Sequence, residues 1–162
     1  MVNAITSIYP SGGTRSKALY NLTSKTNGMN NCGKDEDFEE ITKYLPDFSA
    51  TYPSYCANPL VSGQGSMNLP SMMGTYSGVY ITTIAVQDHG PVDSFNSLDL
   101  SSFSKDNGSS DLAMNSTDFF ESRSIIDGGA IEYYLGVNTM KLQYNYSTSI
   151  PQIIQIRIHC AG

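Results

Sequence analysis

The sequence predicts an α+β domain in which an antiparallel β-sheet is covered by short N-terminal helices, the sheet comprising a C-terminal three-strand meander plus a central strand near 78–87. Three observations carry this expectation. Helical spacing of apolar residues is confined to the first 45 positions, period-two alternation dominates 130–160, and one β-branched run, GVYITTIAV, stands between them. A length of 162 residues corresponds to one domain, read as a mainly helical part (1–45), a loop-rich part with one strand (46–129) and the C-terminal strands (130–160).

At the N-terminus, Val2, Ile5, Ile8 and Tyr9 recur at three- and four-residue steps and read as the tail of a helix stopped by Pro10-Ser11-Gly12-Gly13. Thr14 can cap a second short helix that carries Ala18, Leu19 and Leu22 on its apolar side and ends near Asn27-Gly28. A third helix is expected from Asp35 to Leu45. Phe38, Ile41 and Leu45 form its stripe, Asp35, Glu36, Asp37, Glu39 and Glu40 crowd the positive end of its dipole, and Pro46 terminates it. Those acids do not make a calcium loop, because the sixth position from Asp35 is Glu40 where a glycine belongs, and the twelfth is Pro46 where a bidentate glutamate belongs.

Residues 46–73 have no sustained period and read as irregular connection. Gly63-Gln64-Gly65-Ser66 within them lacks the third glycine of a dinucleotide loop. Gly78 to Gln87 is the central strand, apolar on both faces and closed by Asp88-His89-Gly90-Pro91. Residues 92–129 hold 10 serines and the turn former Asp106-Asn107-Gly108; so long a span must hide short strands or a helical turn, with Asp118 to Ser122 as one candidate turn. The same span is the expected recognition surface, since loops carried on a rigid sheet are where binding residues concentrate. The C-terminal runs 130–137, 139–147 and 152–159 complete the meander. Met140, Leu142, Tyr144 and Tyr146 alternate with Lys141, Gln143 and Asn145, and Ile154, Ile156 and Ile158 with Gln155, Arg157 and His159, so each strand should have one buried and one wet face.

Composition narrows the functional classes. Nine basic against 15 acidic residues give a net charge of -6 with no basic run, which argues against a nucleic-acid partner. The longest apolar-leaning stretch is under half of what a spanning helix needs, so no membrane span is expected. A charged fraction of 15% beside 34 Ser or Thr and 12 Asn resembles a secreted surface and points to an extracellular or cell-surface location. Asn-x-Ser/Thr sequons start at Asn21, Asn107, Asn115 and Asn145, about as many as this composition produces by chance.

Catalytic constellations are not evident. His159 and Cys160 are strand neighbours and would point to opposite faces, His89 sits in a turn, and no serine stands in a Gly-x-Ser-x-Gly elbow. No cofactor or metal site is expected. A small hydrolase is the third reading, and activity abolished by His89→Ala would favour it. Cysteine pairing is the more productive chemistry. Joining Cys32 to Cys56 closes a loop of 25 residues around the acidic helix, with a stabilisation of about 3 kcal/mol. Cys160 is the alternative partner for Cys56.

Val137-Asn138-Thr139-Met140-Lys141-Leu142-Gln143-Tyr144, followed by Pro151 and Ile154-Gln155-Ile156, resembles the late sheet strands of a type IV pilin or minor pseudopilin head. The likeness covers about the last 30 residues. The apolar assembly helix of that family is absent and would have been removed. What the resemblance implies is a non-enzymatic, extracellular structural or adhesive subunit of a filament or its tip, with other protein subunits as partners. The alternative is a carbohydrate- or receptor-binding domain of a virion or secreted adhesin, for which 11 tyrosines offer stacking platforms unless they are needed in the core.

Overall fold

The computed structural model describes residues 5–8, 17–26, 30–33, 54–73, 79–86, 94–103, 108–115, 126–131 and 137–161. The fold is β-rich, mostly antiparallel, with one short helix among the described residues. Its elements are β1 (Ile5–Ile8), α1 (Lys17–Lys25), β2 (Asn30–Gly33), β3 (Tyr55–Ala57), β4 (Leu60–Val61), β5 (Gln64–Met73), β6 (Val79–Val86), β7 (Phe95–Phe103), β8 (Gly108–Asn115), β9 (Ile126–Ile131), β10 (Val137–Tyr146) and β11 (Gln152–Ala161).

Two sheets face one another. One has the order β5-β10-β7-β8; the other places β11 between β3 and β6, with β9 beyond β6 and β4 also paired to β11. A single core joins them, with Leu69, Phe95, Leu98, Leu100, Met140, Leu142 and Tyr146 from the first and Val61, Ile84, Val86, Ile154, Ile156 and Ile158 from the second. Face-to-face packing of two one-sided sheets is the arrangement that hides both apolar faces at once.

The central strand is found where expected, as β6 between β11 and β9, with Ile84, Ala85 and Val86 buried on both faces. The C-terminal meander is not. β10 pairs with β5 and β7, β11 pairs with β3, β4 and β6, and β9 begins at Ile126 and pairs with β6. Alternation shows that a strand has one apolar face, but two such strands can lie side by side or confront each other across a core, and β10 and β11 confront each other. Residues 54–73 are three strands instead of irregular chain. In β5, Gly65, Met67 and Leu69 alternate with exposed Gln64, Ser66 and Asn68, a period-two pattern built on weak apolar residues. The 92–129 span hides β7, β8 and the start of β9, with β7 and β8 paired antiparallel so that Phe103 opposes Gly108. A bulge at Asn96 lets Phe95 and Tyr146 both turn inward, their rings meeting edge to face at 5.5 Å.

The N-terminal residues differ from the helical expectation. Ile5–Ile8 is a strand that pairs in parallel with β2, joined to it through α1 as a short β-α-β unit. The β-branched alternation Ile-Thr-Ser-Ile suits an extended chain better than a helix tail. The acidic 35–45 segment, His89 and 118–122 lie outside the described residues. No described helix is long and apolar enough to cross a membrane.

Candidate functional site

The outer faces of the two sheets have opposite fates. On the five-stranded sheet, the positions expected to be wet are sealed, Gln155 at 0% and Arg157 at 2% exposure. The helix α1 covers them, and its covering face is a stripe of hydrogen-bonding groups, Tyr20, Thr23 and Ser24, whereas Leu22 is 46% exposed and Ala18 faces outward. The apolar side assigned to this helix from Leu19 and Leu22 is therefore not the side that docks. The reason lies in what it meets. The buried primary amide of Gln155 needs acceptors, and a leucine stripe would leave it unpaired at a cost of about 1–3 kcal/mol.

The helix supplies acceptors for the amide, and β3, β11 and Asn58 supply those for the guanidinium. Gln155 Nε2 donates to Thr23 Oγ1 and Ser24 Oγ at 2.8 Å each and to Tyr20 O at 3.1 Å, so its two protons are shared among three acceptors. Tyr20 lies over the small Ala85 and its hydroxyl donates to Ala85 O at 2.7 Å and to Ile153 O at 3.1 Å. Asn58 links both groups: its Nδ2 donates to Ser24 O at 2.9 Å, while its Oδ1 accepts from Arg157 Nη2 at 2.8 Å. Arg157 Nη1 donates to Ala57 O at 2.9 Å and Ile156 O at 2.7 Å.

Cys56 sits directly across from Arg157 in the β3–β11 ladder. Burial pushes the Cys56 thiol above its ordinary range, and the guanidinium opposite pulls it partly back. Burial likewise lowers Arg157, offset by Cys56 and Tyr20. A thiol raised in this way is protonated at neutral pH, the inert state and not the nucleophilic one. This seam is a fastening for α1.

Of the other cysteines, Cys32 lies in β2, and Cys160 lies in β11 opposite Tyr80. Cys160 is three residues beyond Arg157, the register partner of Cys56. That is about 10 Å along the strand, more than the Cα separation a disulfide spans. His159, beside it, is opposite Ile81.

The outer face of the four-stranded sheet is open. Register places three rows across β5, β10 and β7: Gln64, Asn145 and Ser97; Ser66, Gln143 and Asp99; Asn68, Lys141 and Ser101. Neighbours in this lattice are about 4.8 Å apart across strands and about 6.8 Å along them. Gln64, Ser66, Asn68 and Gln143 are exposed, and the more sheltered Ser101 donates to Asp99 Oδ1 at 2.9 Å. The Asn96 bulge adds an amide that donates to Asn145 Oδ1 at 3.1 Å. The result is a flat array of amides and hydroxyls with one acid and one amine, able to donate and accept hydrogen bonds over a broad, shallow contact. Its described tyrosine neighbours are turned away: Tyr146 is in the core and Tyr144 packs against it. Tyr20 and Tyr55 also pack inward, so the described tyrosines do not offer stacking platforms on this face.

No group of three or more potential metal ligands occurs among the described residues. Sequence reading marked Lys141, Gln143 and Asn145 as solvent-facing but missed Gln64, Ser66 and Asn68, because the apolar half of their alternation includes a glycine.

Residues 57–161 match the family model described as Domain of unknown function (DUF7154), a span that begins in β3 and takes in both facing sheets. No curated protein and no solved structure matches the chain.

Proposed function

This chain belongs to the DUF7154 family, a domain of unknown function, and from that premise we propose that it is a non-enzymatic, extracellular structural or adhesive domain whose contact surface is the polar lattice on β5, β10 and β7. The observation that carries the reading is the contrast between the two outer faces. One is closed by a helix held through buried hydrogen bonds, while the other keeps nine amide, hydroxyl and charged positions in register, of which Gln64, Ser66, Asn68 and Gln143 are exposed and only Ser101 is buried. A rigid sheet pre-organises such groups, so little side-chain entropy is lost when a partner docks. The finer picture, in which the domain serves as a pilin-like filament or tip subunit, is the assembly form of this proposal. Cys56 is not disulfide-bonded in the structure; its joining to Cys32 under oxidising conditions is the covalent counterpart of this proposal, detectable by peptide mapping without reduction.

A second reading, a carbohydrate- or receptor-binding domain of a secreted or virion adhesin, uses the same face. Asn, Gln and Asp side chains are the groups that pair with sugar hydroxyls. The test is common to both: glycan-array and cell-surface binding of the wild type and of Gln143→Glu/Asn145→Asp. Binding that falls at least tenfold in the variant, with an unchanged unfolding midpoint, supports the lattice as the contact; equal binding refutes it. Signal on defined glycans selects the second reading.

A further inference from the structure

The β5 strand lies at the margin of its sheet, with β10 as its one partner among the described residues. Unpaired backbone N–H and C=O groups along such a margin form a template for another strand, and natural proteins usually guard it with lysine, proline or a bulge. Here the guards stand at the ends. Gly63, in the left-handed region at φ 59°, bounds one side, and Pro70, at the register shift between Asn138 and Met140 of β10, bounds the other. Between them, Gln64 to Leu69 runs without interruption, and Gln64–Met73 carries no ionisable side chain although the chain as a whole has a net charge of -6.

We propose that β5 is a self-pairing edge, at which a second copy of this chain adds its own β5 antiparallel about Met67 to continue the four-stranded sheet into one of eight. The occupant follows from complementarity under a two-fold axis. Antiparallel pairing keeps core-facing residues opposite core-facing ones. With Met67 at the axis, Gly65 opposes Leu69 of the other copy, and exposed Ser66 opposes exposed Asn68. Met67 itself is only partly covered at the rim of the core, and its symmetry mate supplies the apolar group that would finish burying it. The neutral run spares two acidic copies a charge clash at the seam. A seam one strand wide falls short of the roughly 800 Å² per partner of a stable interface, so the dimer is reversible, with Kd on the order of 0.1 mM. This deepens the assembly reading above, and the two fail separately through Gln143→Glu/Asn145→Asp, which alters the lattice on β10 and leaves the β5 edge unchanged: it should lose partner binding and still dimerise like the wild type.

The test is analytical ultracentrifugation of the full chain from 5 µM to about 1 mM, for which the expected Kd sets the range. The wild type is expected to move from monomer to dimer. Ser66→Lys/Asn68→Lys should weaken this at least tenfold, as should Ser66→Glu/Asn68→Glu, and mixing the two variants should restore a heterodimer, since position 66 of each faces position 68 of the other. Both side chains are exposed, and circular dichroism checks that both variants keep the wild-type sheet. A wild type that stays monomeric throughout, charge variants that dimerise like the wild type, a mixture that fails to associate, or growth beyond the dimer mass into a ladder would each overturn the proposal.

Discussion

Gln155 shows how much a single side chain can decide. It lies on β11 between two isoleucines, and its amide holds α1 through two hydroxyls and a carbonyl. Gln155→Ala is expected to lower stability by about 2 kcal/mol, measured by urea unfolding, because it removes a buried donor set and leaves a void at a fully covered position. Cys56 carries a pH signature. In the reduced protein its thiol is raised on folding, so the protonated form is favoured in the native state. That contribution is fully present below the ordinary thiol range near 8.5 and is lost as pH rises through the higher native value. Urea midpoints should therefore fall on the alkaline side, and Cys56→Ser should flatten the fall. Sequence reading placed both Gln155 and Arg157 in solvent, for an identifiable reason. The alternation Ile-Gln-Ile-Arg-Ile reports which face is apolar, but whether the polar face is wet depends on what lies over it, and that covering comes from far along the chain, Tyr20, Thr23 and Ser24 for Gln155 and Ala57 and Asn58 for Arg157.

Among the elements, the most legible were those with strong side chains, β6 from its β-branched run and β10 and β11 from alternation; α1 falls where expected, but not with the apolar side read for it. β5 was missed because a glycine and a methionine do the work of larger residues on its inward face, and Tyr144 occupies the room a side chain at Gly65 would fill. β1 was read as helix because four residues are too few to separate a period of two from one of three and a half. The turn into β5 makes a clean test. Gly63 accepts from Tyr146 N and donates to Thr148 O, both at 2.9 Å, at φ 59°. A Cβ added there meets nothing within 4 Å, so Gly63→Ala isolates the backbone cost. A loss of about 1–2 kcal/mol is expected, and Gly63→Asn should lose less.

For the molecule as a whole, the shared core makes the two sheets one cooperative unit. Leu142 on β10 and Ile156 on β11 are both at 0% exposure in the same cluster. Leu142→Ala and Ile156→Ala should each cost about 2–5 kcal/mol and leave a single unfolding transition; two separate transitions would show the sheets to be independent. A third of the polar lattice was legible: its three β10 positions stood out, but those on β5 and β7 depended on register across strands, which no local pattern contains.

The position of β11 in its sheet carries one more consequence. It comes after the ten other described strands in chain order, yet β3, β4 and β6 all hydrogen-bond to it. While the polypeptide emerges from a ribosome, those three segments must wait with their edges unsatisfied until β11 has cleared the exit tunnel. Collapse to the final form is thus a late event that depends on long-range pairing, in the slow regime of two-state folders. A stop codon before Gln152 would yield a product that holdase chaperones retain, not a smaller version of the same domain.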